Sequence, residues 1–168
     1  EGAIRQSAEE ALDELPADQQ DVAMMILLRM VTSAPPRSWT HRLVPLAEIE
    51  SISPEAPTVL DHLIERRLVT VGTDTATLSH EALLDAWPRL RELVEARRGD
   101  LARREALDRA SREWEAGDRG EDHLLRGSRL AAAEEWVSAA TEPLAPLQRD
   151  YLTASKELSR RIEVDRVR

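Results

Sequence analysis

One stretch of the chain carries strand character on both sides of a turn, and it governs how the N-terminal half must be read. Leu68-Val69-Thr70-Val71 and Thr75-Ala76-Thr77-Leu78 are β-rich runs around Gly72-Thr73-Asp74, which predicts a hairpin. What precedes it is mostly helical. Val59, Leu60, Leu63 and Ile64 form the apolar stripe of a helix near 55–66, entered at Ser53-Pro54-Glu55 and closed by Arg66 and Arg67 at the negative end of its dipole. Leu46, Ala47 and Ile49 make a short helix opened by Pro45, and Arg42-Leu43-Val44 is a short strand candidate. Residues 33–41, which contain Ser, Ala, Pro, Pro, Arg and Ser, read as a loop. Val22 to Met30 are apolar nearly all round, the mark of a buried helix placed at 17–32. The order helix, short strand, short helix, helix, hairpin is that of a winged helix, with 55–66 in the place of the recognition helix.

Residues 3–14 read as an amphipathic helix that Leu15-Pro16 stops. Beyond residue 80 the pattern is helical to the end. Leu83, Trp87, Leu90 and Val94 share a face, but Pro88 inside that run predicts a kink or two helices meeting at 87–88. Leu107, Ala110 and Trp114 mark a helix near 100–116, which Gly117-Asp118-Arg119-Gly120 ends. Leu124 and Leu125 are assigned to a short helix, Leu130 to Ala140 to another, and Leu147, Tyr151, Ala154, Leu158 and Ile162 to a final one whose last turns are charge-rich. Trp114 and Trp136 lie on apolar faces and are expected to be largely buried. The chain is therefore expected to be mainly α with a small β-hairpin. Residues 1–15 would belong to, or link from, a preceding module; 16–97 would form the winged helix; 98–168 would form an α-helical domain ending in a long charged helix.

Charge and composition narrow the function. With Lys+Arg at 23 and Asp+Glu at 32 the net charge is -9, concentrated in residues 1–80, which hold 6 basic and 13 acidic side chains. A phosphate-coating nucleic-acid binder needs the opposite sign. The 55–66 helix carries Glu55, Asp61 and Glu65 beside His62, Arg66 and Arg67, and the hairpin turn holds Asp74, so protein contact is favoured over groove reading and no nucleic acid is expected as a partner. No cysteine is present, which removes disulfides, thiolate metal sites and Cys nucleophiles. The longest uncharged apolar run, Val22 to Leu28, is far short of the roughly 20 residues a bilayer needs. Nothing near Glu1, Glu9 and Glu10 resembles a signal peptide, and a cytoplasmic location is expected.

Catalytic signals are weak. His41, His62, His80 and His123 lack the spacing of a helical metal pair, so no metal site is expected. Ser79-His80-Glu81 holds the residue types of a hydrolytic triad, but neighbours on one backbone cannot converge as a relay requires, and Ser79 reads instead as a helix cap. No G-x-x-x-x-G-K-[ST] occurs, and the 6 glycines are scattered. The chain alone is expected to be non-catalytic and to hold no cofactor.

One segment is recognisable. Leu78-Ser79-His80-Glu81-Ala82-Leu83-Leu84-Asp85-Ala86-Trp87-Pro88-Arg89-Leu90 resembles a signature of bacterial STAND-type signalling NTPases, the class also called novel STAND. Ala110-Ser111-Arg112-Glu113-Trp114, the run from Leu125 to Trp136, and Pro146 to Ser155 look like the same family. In that family a P-loop ATPase module precedes a winged-helix domain and a helical region, and sensor repeats or membrane segments commonly follow. The resemblance implies that this chain is the middle portion, and that ATP or ADP is bound by the ATPase module. The implied partners are that module, the C-terminal sensor repeats or membrane segment, and further copies on activation. In related STAND proteins a Met-His-Asp motif follows the winged-helix hairpin, and its His reaches the ADP phosphate. Ser79-His80-Glu81 occupies that place, so the resemblance implies that His80 is the nucleotide sensor with Glu81 supporting it. Arg66, Arg67 and Trp87 are the candidates for the docking interface. The implied function is a regulatory module that controls nucleotide-dependent switching and oligomerisation. The alternative is a winged-helix transcription regulator with a helical partner-binding domain.

Overall fold

The computed structural model describes residues 2–34, 37–140 and 142–168. Helices dominate, and the strands form two small sheets. The chain divides into two compact units, 1–102 and 103–168.

The first unit begins with α1 (Gly2–Asp13), whose Ala8, Ala11 and Leu12 are fully buried. These three residues belong to the hydrophobic core of this unit. Its small Ala8 and Ala11 let neighbouring helices approach closely, and Leu12 adds apolar area removed from water. Pro16 ends it, and α2 (Ala17–Arg29) follows, buried over most of its circumference as its unbroken apolar run requires. Residues 33–41 were expected to be a loop, but β1 (Val31–Ala34) and β2 (Arg37–His41) form an antiparallel hairpin pairing Val31 with His41, Thr32 with Thr40 and Ser33 with Trp39. Loop-like composition misleads here because the ladder uses backbone groups, and the β-formers Val31, Thr32, Trp39 and Thr40 sit at paired positions. Pro35 and Pro36, in the middle of that expected loop, lie outside the described residues, as do Glu1 and Thr141.

A three-stranded sheet comes next. β3 (Val44–Pro45) leads into α3 (Leu46–Glu50) and α4 (Ala56–Glu65), followed by β4 (Val69–Val71) and β5 (Thr75–Leu78). The strand order is β3-β5-β4, antiparallel throughout, with Val44 opposite Ala76 and Val69 opposite Leu78. The entry to α4 is set as the sequence suggests, with Ser53 Oγ accepting from the Glu55 N–H at 3.1 Å. Its exit is a tight reversal. Leu68 N–H reaches the Leu63 carbonyl and Arg67 N–H the Ile64 carbonyl, both at 3.0 Å, with Arg67 at φ 61. This is the double-bonded αL cap, usually built on glycine.

A buried ion cluster ties α2 to α3. Arg29 and Glu48 are both buried, with Nη1 and Oε1 3.9 Å apart. Arg42 donates to the other Glu48 oxygen at 3.2 Å and to the Arg29 carbonyl at 2.7 Å. After the sheet, α5 (Ala82–Ala86) and α6 (Pro88–Ala96) meet at an extended Trp87, since Pro88 excludes the helical conformation there. α7 (Arg98–Ala116) starts in the first unit and continues into the second.

In the second unit α7 ends at Gly117-Asp118-Arg119, with Asp118 and Arg119 rather than the glycine taking positive φ. A single 3-10 turn, Glu121–His123, replaces the helix expected around Leu124 and Leu125, and Leu124 is a core residue. Then come α8 (Gly127–Ala139) and α9 (Pro146–Val167). Leu107, Trp114, Leu130, Tyr151, Leu152 and Leu158 fill the interior. Trp114 and Tyr151 meet in a tilted arrangement 5.5 Å apart, and the Tyr151 hydroxyl donates to the His123 carbonyl at 2.6 Å. Burial pushes the Tyr151 phenol above its usual range. Trp136, expected to be largely buried, is only half-buried beside Arg104.

Candidate functional site

The link from β5 to α5 carries the residues singled out for nucleotide sensing. Ser79 does not cap α5. Its N–H donates to the Leu68 carbonyl at 2.9 Å, and its hydroxyl shares a hydrogen bond with Thr70 at 2.9 Å. The sheet therefore extends its hold one residue past the strand. His80 is exposed, and among the described residues its imidazole has no hydrogen-bond partner. Its carbonyl accepts from the Leu83 N–H and so starts α5. An exposed imidazole can donate to an anionic oxygen, and no partner among the described residues takes up that capacity.

Glu81, the other half of the pair, is half-exposed and engaged. Thr40 Oγ1 donates to its Oε1 at 2.5 Å, and His41 Nδ1 lies 3.9 Å from the same oxygen. Neither Thr40 nor His41 was singled out from the sequence as a partner of Glu81. The signal that could have found them is the β-former content of the 39–41 stretch, obscured by the prolines before it. One residue earlier on β2, the Trp39 indole donates to Glu95 Oε1 at 2.9 Å. Arg98 donates to both Glu95 oxygens, at 3.1 and 2.8 Å, and its guanidinium lies 5.7 Å from the Trp39 ring centre. The indole N–H, followed by Arg98, holds the Glu95 carboxyl below the usual carboxylate range.

The three interface candidates have separate fates. Arg66 pairs with Glu14 at 3.1 Å and Glu10 at 3.9 Å, fastening the end of α4 to α1 while remaining partly exposed. Arg67 is exposed at the αL cap. Trp87 faces inward. It is fully buried, and its indole donates to Glu9 Oε1 at 2.8 Å. The extended backbone before Pro88 turns its large ring inward, where it belongs to the core of the first unit.

The remaining histidines are occupied structurally or stand at a distance from any cluster. His62 Nε2 donates to the Ala11 carbonyl at 2.8 Å and lies 3.4 Å from Glu14. His123 packs so tightly on Gly117 that a Cβ there would meet its Nε2 at 2.6 Å. Among the described residues no group of three or more His, Asp or Glu could hold a metal ion, and no helix is long and apolar enough to cross a membrane. Of the outward residues of α4, Asp61 and Glu65 offer carboxylates where base reading needs donors. In the second unit an open groove of about 640 Å³ runs between α8 and α9, lined by Leu130, Val164 and Val167 with Lys156, Arg160 and Glu134 among its polar residues.

No curated protein and no solved structure matches the chain. A family model does, the one described as Novel STAND NTPase 1, over residues 1–122. That span takes in the whole first unit, the junction at His80 and the helix α7, well over half of the 168 residues. The signature at Leu78 to Leu90 falls inside it, and on this match the chain belongs to the novel STAND NTPase 1 family.

Proposed function

We propose that this chain is the non-catalytic regulatory part of a STAND-type switch, in which residues 16–97 act as a winged helix docked on a P-loop ATPase module of the same protein. The succession β3, α3, α4, β4, β5, which follows α2 after the inserted β1–β2 hairpin, and the strand order β3-β5-β4 support the winged-helix reading. ATP or ADP is held by the ATPase module, because no phosphate-cradling Gly-Lys loop occurs in this sequence. In the ADP state His80 donates to a phosphate oxygen and keeps the two modules together. On exchange the contact is lost, and the released module permits oligomerisation under the control of sensor segments beyond it. The observation that carries this reading is the exposed, unpartnered imidazole of His80 at a junction whose two neighbours are both fixed.

The test is ADP release from the protein carrying its ATPase module. One charge-assisted or neutral hydrogen bond is worth about 1–3 kcal/mol, so His80→Ala is expected to speed release and favour the open form roughly 5- to 150-fold. The same change in the 168-residue chain is expected to leave its unfolding midpoint unchanged, since the side chain is exposed. Unaltered ADP release in His80→Ala would remove the sensor role.

A further inference from the structure

His80 lies on a short link, and an exposed side chain on such a link is held in one direction only if the backbone on either side is held. Upstream, Ser79 is fixed by the Leu68 carbonyl and by Thr70. Downstream, the restraint comes from the other sheet: Thr40 of β2 donates to the Glu81 carboxylate, and His41 flanks it. β2 is in turn anchored by Trp39 on Glu95, with Arg98 closing over the same ring and carboxylate. Three consecutive side chains of β2 thus reach across to the segment that starts at Glu81 and ends at Arg98. The β1–β2 ladder needs none of them, because it is built from backbone groups.

We propose that the β1–β2 hairpin is a strap that positions His80, with Thr40 as the positioning residue acting through Glu81 and Trp39 as the anchor. What the positioning serves rests on the sensor reading above; the restraint itself does not. Thr40 and Glu81 are both partly exposed, so their bond adds little to global stability and acts locally. The strap removes rotational freedom from His80 before a phosphate arrives, which strengthens that contact without adding an atom to it.

Two variants and two measurements separate the possibilities. Thr40→Val removes the donor at nearly constant shape, and Thr40→Ser restores it. In the 168-residue chain, backbone ¹⁵N relaxation at His80 and Glu81 is expected to show increased motion in Thr40→Val, with an unchanged melting temperature and normal behaviour in Thr40→Ser. In the protein carrying its ATPase module, Thr40→Val is expected to release ADP about 2- to 12-fold faster, the equivalent of one net hydrogen bond. Unchanged order at His80 and Glu81 in Thr40→Val overturns the strap. A fall in melting temperature with loosening of the whole hairpin also overturns it, by making Thr40 structural. Unchanged release in Thr40→Val, where His80→Ala accelerates release, overturns the positioning role alone. Unchanged release in His80→Ala removes the sensor reading and leaves the strap standing on its relaxation data.

Discussion

Arg67 carries a backbone conformation that an L-residue adopts at a cost. At φ 61 its Cβ crowds the following carbonyl, a penalty of about 1–2 kcal/mol that glycine escapes, partly offset by glycine's larger entropy when unfolded. The reversal it closes is fully bonded, with Leu68 N–H on the Leu63 carbonyl, so glycine can replace it without disturbing the motif. Arg67→Gly is therefore expected to stabilise the chain by about 0.5–1 kcal/mol in denaturant unfolding; a loss of stability would mean that the arginine side chain makes up for its strain. The sequence shows why such positions are hard to read. A basic pair at a helix end suits the dipole, and that argument treats Arg66 and Arg67 alike. The structure separates them by one peptide unit, with Arg66 on the Glu10 and Glu14 carboxylates and Arg67 turned into the cap. Trp87 has the same lesson in the opposite direction. Its neighbour Pro88 was legible as a break, but a break alone does not say which way the preceding ring turns, and Glu9 lies 78 residues away.

Among the elements, α1 is tied to the core by one large buried side chain and several polar contacts. Leu12 is fully buried, and the helix is fastened by His62 on the Ala11 carbonyl, Arg66 on Glu14 and Trp87 on Glu9. Leu12→Ala is expected to cost about 2–5 kcal/mol in unfolding free energy, measured by denaturant titration; an unchanged value would make residues 1–15 a detachable leader. Most helices were legible because their apolar residues recur at the period that fixes one face, as in α4 with Val59, Leu60 and Leu63. The β4–β5 hairpin was legible from its alternation and its Gly72–Asp74 turn. The β1–β2 hairpin was not, because Ser, Arg and Pro say loop and the pairing that overrides them is a tertiary matter. That gap also hid Thr40 and His41, which approach Glu81 Oε1. In the second unit Leu124 and Leu125 were correctly apolar but wrongly helical, since burying one leucine takes only a single turn of approach. Trp114 and Trp136 look equivalent on their helices, but Trp114 is buried against Tyr151 while Trp136 lies half-buried beside Arg104.

For the molecule as a whole, net charge and the lack of a phosphate loop make one expectation. At about 150 mM salt, where weak phosphate contacts are screened, the 168-residue chain is expected to show no calorimetric binding of ATP and no gel shift of duplex DNA. Micromolar affinity for either would overturn the regulatory-module reading, the first by placing a nucleotide site inside this chain and the second by favouring a transcription regulator. The sheet carries a different consequence, for how the chain is made. β5 is the last strand in sequence and the middle strand in space, with β3 on one side and β4 on the other. During synthesis Val44 and Pro45 leave the ribosome long before Thr75 and Ala76, their partners, exist. The β4–β5 hairpin closes locally, but β3 joins only across two intervening helices, a slow, non-local step. A nascent chain halted before Thr75 therefore displays Val44 and Val69 as unpaired strand edges beside an unfinished core, the kind of surface that chaperones hold and proteases clear.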